Sequence, residues 1–323
     1  VKSFKHFNAT SVDEALSLLG NYQGRAKLIA GGTDLLGSLK DGILSEYPEA
    51  LINIKTIPGL DSIHENGEEL RIGPSTKLAE ITRSSVIRGK YPVLSEAAES
   101  VATPEIRNMA TMGGNLCQDT RCWYYRYPHG MGGRILCYRK GSGPCHAVKG
   151  DNRYHAIMGG KACFAVCPSD MAIALTALDA SLQIAGPKGE RVVQIKDFYN
   201  VLGSVLRPDE FVTEIRVPHL PKLTKQAFIK FTIRKPVDFA TASVASVIME
   251  EGGVCEHARL ALGAVAPTPV RATDAEKVIK GKAIDAKVAE RAAAAAVAGA
   301  KPMSKNAYKI EITKTLVKRA LLY

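Results

Sequence analysis

Six of the seven cysteines, Cys117, Cys122, Cys137, Cys145, Cys163 and Cys167, fall within 51 residues and leave Cys255 alone. Thiols gathered in this way in a reducing compartment point to a metal or an inorganic cluster rather than to disulfides. Their spacing, C-x4-C-x14-C-x7-C-x17-C-x3-C, lacks the C-x2-C knuckle of most structural zinc sites. Widely separated thiolates suit an iron–sulfur cluster, whose larger body can be reached from several parts of a meandering loop. The plain alternative is that cysteine, a small hydrophobe, gathers here through packing. Between Arg121 and Cys163 eight basic residues face one acid, Asp151, so this stretch carries +7 of the formal net charge of +11. Cations there would offset an anionic cluster and raise its reduction potential, and they are equally compatible with a docking face for an acidic redox partner.

Two paired-glycine bends supply a second kind of chemistry. Gly31-Gly32-Thr33-Asp34 follows a short apolar run and precedes Leu35-Leu36, and Thr111-Met112-Gly113-Gly114-Asn115 repeats the theme about 80 residues on. Glycine lets the backbone approach a ligand, and free amides at a helix start bind an anion, so the two bends are able to hold the ends of one pyrophosphate. Each alone is also a plain turn. The sequence contains no G-x-G-x-x-G, no G-x-x-x-x-G-K-[ST], no H-E-x-x-H and no G-x-S-x-G, which removes the main support for a Rossmann dehydrogenase, a P-loop NTPase, a zincin or a serine hydrolase.

The elements that must position these residues follow from periodicity. Ser11 to Glu14 reads as a capping box for a helix over Val12–Leu19, and Lys27 to Ala30 as a strand feeding the first bend. Thr103-Pro104 marks a helix start ahead of the second bend. Met171–Leu178 reads as a helix, and strands are expected at Ser181–Ala185, Arg191–Ile195 and Phe211–Val217. His219 to Leu223 reads as a domain boundary. Three strands follow, Ala227–Ile233, Ala242–Glu250 and Ala258–Val265, then helices at Thr273–Ile279, with a capping box at Thr273 to Glu276, Ala286–Ala300 and Ala307–Leu322. The cysteine stretch itself has only Ile135, Leu136, Val148 and Ile157 as branched aliphatics, with eight glycines, and cannot build a core of its own.

At 323 residues, with 46% hydrophobic and 23% charged residues, the chain has the make-up of a soluble globular protein of about two domains. No stretch reaches the roughly 18 apolar residues of a membrane span. The opening residues show neither an apolar core nor a cleavage site for export, which predicts a cytoplasmic protein with no membrane partner. The basic charge is local, so no nucleic-acid partner is expected.

Taken together, Ala30-Gly31-Gly32-Thr33-Asp34-Leu35, Ile106-Arg107-Asn108, Thr111 to Cys117, Pro168-Ser169-Asp170, Asp238-Phe239-Ala240 and Leu262 to Arg271 resemble the FAD-binding medium subunit of the molybdenum hydroxylase (xanthine oxidase) family along essentially the whole chain. The resemblance implies an α+β fold: a two-part, PCMH-like FAD-binding domain over 1–218, then a small C-terminal domain over 219–323 with a three-stranded antiparallel sheet and helices. It implies non-covalent FAD against Leu28, Ile29, Ala30, Gly31, Gly32, Thr33, Asp34 and Leu35, against Thr111, Gly113, Gly114, Asn115 and Cys117, and at Asp170 and Lys230. Cys117 is expected to pack near the flavin. Lys230 and Arg234 either face its ring or form a salt bridge with Asp238.

Most members of that family have only a few residues between the second bend and the Ser-Asp pair, where this chain inserts 118–166. The insertion resembles that of the 4-hydroxybenzoyl-CoA reductase β subunit and of certain bacterial aldehyde oxidoreductases. It implies a 4Fe-4S cluster on Cys122, Cys137, Cys145 and Cys163, with Cys167 in reserve and the aromatic trio Trp123, Tyr124 and Tyr125 as a water shield. The implied role is electron relay without substrate chemistry. The implied partners are a large molybdopterin-binding subunit and a small subunit with two 2Fe-2S clusters, in a dimer of heterotrimers, with an external redox partner such as ferredoxin. A stand-alone flavin oxidase and a zinc-dependent nucleic-acid binder are the competing classes.

Overall fold

A computed structural model describes residues 1–221, 224–235 and 237–323. The first lobe is built from β1 (Lys5–Asn8), α1 (Val12–Tyr22), β2 (Ala26–Ile29), α2 (Leu35–Lys40) and β3 (Ala50–Asn53). β3 lies between β1 and β2 and pairs in parallel with both, Lys5 and Ala26 standing opposite Ala50. Ser11 caps α1 by accepting from the Glu14 amide at 3.1 Å. The Glu14 carboxylate reaches one residue further back than a capping box requires, and accepts from the amide and hydroxyl of Thr10.

The second lobe opens with β4 (Ile63–Glu65) and β5 (Glu69–Ile72) and continues through short helices α3 (Leu78–Arg83), α4 (Ser85–Lys90), α5 (Pro92–Glu99), α6 (Pro104–Arg107) and α7 (Met112–Cys117). The cysteine insertion follows, with only two single 3-10 turns. Then come α8 (Asp170–Ala177), β6 (Ser181–Gly186), β7 (Gly189–Gln194), α9 (Ile195–Phe198), the small hairpin β8 (Tyr199–Asn200) and β9 (Gly203–Ser204), and β10 (Phe211–Pro218). These strands form a sheet in the order β4-β5-β10-β6-β7, antiparallel in every pairing. α8 is buried along its whole length, Asp170 and Thr176 included, and is otherwise apolar, as expected of a helix covered on every side.

The expected boundary at His219 to Leu223 includes Lys222 and Leu223, which lie outside the described residues. Beyond it, β11 (Thr224–Phe231), β12 (Ala242–Glu251) and β13 (Val254–Gly263) form an antiparallel sheet. The two-residue β14 (Val270–Arg271) adds a fourth strand to the three expected. Helices α10 (Thr273–Ile279), α11 (Ala286–Ala296) and α12 (Tyr308–Leu322) complete the domain. The capping box expected at Thr273 does not form, because Ala272 is the N-cap and makes no side-chain cap. Glu276 is drawn away to accept from the Leu260 amide and to pair with Arg271, which ties α10 to the sheet.

The principal core does not stop at the expected boundary. Leu70, Ile173, Ile215 and their neighbours in the second lobe pack in one cluster with Phe228, Ala245, Val247 and Ala261 of the C-terminal sheet. A second cluster, between that sheet and helices α10 to α12, includes Ile157 from the insertion. No helix is long and apolar enough to cross a membrane among the described residues.

Candidate functional site: a glycine-walled cleft beside a thiol-lined cavity

The two bends meet. β2 delivers Gly31 so close to the segment before α7 that a Cβ there would stand 2.0 Å from the Met109 carbonyl oxygen. Gly32 takes φ +70°, a conformation that glycine adopts without steric cost. At the second bend Thr111 caps α7 by accepting from the Gly114 amide at 3.2 Å, and the Gly113 amide donates to Pro74 O at 2.8 Å. Both bends line one cleft of about 620 Å³. Of the residues expected to hold the cofactor, Leu28, Ile29, Ala30, Gly31, Gly32, Thr33, Asp34, Leu35, Thr111, Gly113, Gly114 and Cys117 face it. The facing wall, from Leu202 to Ser204 and from Pro208 to Val212, was not anticipated from the sequence. Its only local signals are Gly203 in the small hairpin and Pro208 in the turn before β10.

Three expected residues do not line this cleft. Asn115 accepts from Ser169 Oγ at 2.7 Å, while Ser169 caps α8 by accepting from the Ala172 amide, so Asn115 joins the second bend to α8. Asp170, the first residue of α8, forms a buried ion pair with Lys230 of β11 at 2.7 Å, and Lys230 also donates to Ser100 O. Burial raises the Asp170 carboxyl above the usual carboxylate range despite Lys230. Arg234 pairs with Asp238 on the surface, the salt-bridge alternative, whereas Lys230 turns inward to Asp170.

Asp34 does not cap α2. It accepts from the guanidinium groups of Arg121 and Arg126 and from the Asp119 amide at 2.8 Å. Burial would raise its carboxyl, but the two arginines outweigh that effect and hold it below the usual carboxylate range. The insertion is thus anchored to the first bend through charge.

Cys122, Cys137, Cys145 and Cys163 line a second, smaller cavity. Cys167 and Cys117 face the large cleft instead, and Cys255 lies buried in the C-terminal core. Among the described residues no three His, Cys, Asp or Glu side chains form a group that could hold a single metal ion. Burial raises the Cys122 thiol to about 11, opposed by the amides of Tyr125 and Tyr124. His155 Nε2 stands 3.2 Å from Cys122 Sγ. Burial, then the Lys309 ammonium, lowers the His155 imidazole to about 4, leaving the ring neutral.

The cations of the insertion point mainly inward. Arg121 and Arg126 are spent on Asp34, Arg153 pairs with Asp151, and Arg139 and Lys140 lie within the fold. Only Lys149, Arg153 and Lys161 of the eight are exposed, which argues against a broad cationic docking face. The Lys140 ammonium is buried with no hydrogen-bond partner, its pKa lowered by burial and opposed first by Cys137. Arg134 Nε, Arg139 Nε and His155 Nδ1 are likewise buried and unpartnered. Polar groups left this way cost free energy unless something in the cavity answers them. An anionic body between the thiols would answer Arg139 of the cavity lining and Lys140 beside Cys137, and the residues present therefore fit a thiolate-held cluster.

Tyr125 and Arg139 line both cavities and form their common wall. Burial, then Asp119, raises the Tyr125 phenol, which stays protonated and donates to Asp119. Arg139 donates to Leu202 O at 2.6 Å and Val201 O at 2.9 Å on the rim of the large cleft. Tyr124 also lines the thiol cavity, whereas Trp123 packs edge-on against Tyr154 and His155 behind it.

Residues 2–220 match the family described as the FAD binding domain in molybdopterin dehydrogenase, and residues 227–323 match the CO dehydrogenase flavoprotein C-terminal domain. The chain is 34% identical to the aldehyde oxidoreductase FAD-binding subunit PaoB of Escherichia coli K12, covering 97% of this chain and 96% of that one. It is 31% identical to the carbon monoxide dehydrogenase medium chain of Hydrogenophaga pseudoflava, over 98% of this chain and 96% of the relative. The solved carbon monoxide dehydrogenase from the same organism, in a form lacking the Mo-pyranopterin moiety, superposes with a TM-score of 0.79 over 99% of this chain and 96% of that one, at 31% identity. The fold, the glycine-walled cleft and these likenesses agree, and the chain belongs to the FAD-binding medium subunits of the molybdenum hydroxylase (CO dehydrogenase/xanthine oxidase) family, as an oxidoreductase subunit.

Proposed function

We propose that this chain is an electron-relay subunit that holds FAD in the glycine-walled cleft and a 4Fe-4S cluster on Cys122, Cys137, Cys145 and Cys163. When bound, FAD would exchange electrons in pairs or singly and an iron–sulfur cluster singly, so the flavin would convert between the modes. The observation that carries the reading is the common wall: Tyr125 and Arg139 line both cavities. The bends offer their backbone to the pyrophosphate, and Thr111 fixes the second of them. Asp170, Asn115 and Lys230 support that cleft from behind as positioning residues, through α8 and β11. Lys140 supplies positive charge beside Cys137 and Cys122, where thiolates would otherwise be costly to bury.

The relatives' names, a medium chain of carbon monoxide dehydrogenase and the FAD-binding subunit of an aldehyde oxidoreductase, support the partner set. This chain would join a large molybdopterin-binding subunit and a small subunit with two 2Fe-2S clusters as a dimer of heterotrimers, with an external redox partner such as ferredoxin. A reducing cytoplasm suits its seven free thiols.

The test is iron, acid-labile sulfide and flavin analysis of the purified complex, beside a Cys122→Ser variant. The expected result is one FAD and one four-iron cluster in the native chain, with loss of the four-iron EPR signal and retention of FAD in the variant. A native chain without iron, or iron content unaffected by the substitution, overturns the cluster assignment. Absence of flavin from a folded complex overturns the cleft assignment.

A further inference from the structure

We propose that His155 donates a hydrogen bond from Nε2 to the Cys122 ligand sulfur, and that Asn306 and Lys309 of the C-terminal domain clamp this donor in place. The cluster's reduction potential is then set jointly by the insertion and by the last helix of the chain. The inference rests on the cluster reading above.

The ring nitrogen stands 3.2 Å from Cys122 Sγ. A ligating thiolate only accepts, so the proton lies on Nε2, and Nδ1, buried without a partner, is left as the unprotonated nitrogen. A hydrogen bond to a ligand sulfur withdraws electron density and favours the reduced, more negative cluster, which raises its potential.

The backbone of His155 is held from the far end of the sequence. Asn306 Nδ2 donates to the carbonyls of His155 and Ala156, each at 3.2 Å, and Lys309 Nζ donates to His155 O at 3.0 Å and to Ala264 O. Both side chains are 0% exposed. Asn152 O accepts from the His155 amide at 3.0 Å, and Asn152 is itself fixed by Ser304 and the Lys305 amide. Trp123 stands edge-on to the imidazole, with ring centroids 5.8 Å apart. Asn306 and Lys309 touch neither thiol nor cavity, so they are positioning residues for the donor.

The experiment is an EPR-monitored redox titration of the four-iron signal in the purified complex, with iron content measured in parallel. His155→Ala is expected to lower the midpoint potential, shifting the equilibrium between oxidised and reduced cluster by about tenfold, or about 59 mV for a one-electron couple. His155→Gln, which keeps an N–H donor, is expected to recover part of the shift. Asn306→Ala is expected to move the potential in the same direction by a smaller amount and serves as the readout if His155→Ala does not retain its iron. Full iron with an unchanged potential in His155→Ala and Asn306→Ala overturns this inference and leaves the cluster reading standing. A native complex without iron removes both.

Discussion

Gly31 sets how closely the two bends approach. The nearest atoms to a Cβ there are backbone, the Met109 carbonyl and the Ala110 Cα, and neither can swing aside as a flexible side chain would. Gly31→Ala therefore has to push the bends apart, at about 1–3 kcal/mol for overpacking of this kind. The expected outcome is a lower melting temperature together with reduced flavin content in the purified complex. Native stability with one FAD per chain would show that the close approach is dispensable. The glycine pairs were legible in the sequence because no other residue type permits such geometry. The partners of Asp34 were not, since Arg121 and Arg126 lie 87 and 92 positions away from it and only tertiary folding brings them near.

At the level of elements, α12 carries an unusual burden in Lys309. Burial lowers its pKa from 10.5 to about 7. Between those values the unfolded chain binds a proton that the folded chain has released, so stability should rise with pH from about 7 to 10.5 and level off above. Denaturant midpoints measured across that window are expected to climb for the native chain and to climb less for Lys309→Met. Equal slopes would place the titration elsewhere. Among the elements, α10 was readable to its ends, and α12 and β12 to within one residue, the latter two because fifteen and ten residues give a period room to emerge. By contrast β1, β3, β4 and β5 have three or four residues each and take their pairing from distant partners. The three helices α3 to α5 abut one another through caps at Ser84 and Tyr91, leaving no window long enough for a helical period to emerge. The insertion builds no core of its own, as its composition implies: Tyr125 and Cys137 pack on Ile43 of the first lobe, and Ile157 borrows the C-terminal core.

Across the whole molecule, the ion pair between Asp170 and Lys230 joins the flavin-binding part to the C-terminal sheet, with both side chains 7% exposed. Removing one member leaves the other buried and unanswered, at about 3–5 kcal/mol. Lys230→Met is expected to destabilise the chain by that order in chemical denaturation, and Asp170→Asn combined with Lys230→Met to recover much of the loss. A double variant no more stable than the single one would mean that the pair does not act as a unit.

The clamp on His155 comes from Asn306, 151 positions further along the chain. During synthesis the earlier thiols leave the ribosome long before that asparagine exists, so the mature surroundings of the cysteine pocket cannot close on a growing polypeptide. Closure of that pocket is thereby deferred until Asn306 and Lys309 have docked on His155, which makes it a late step of folding.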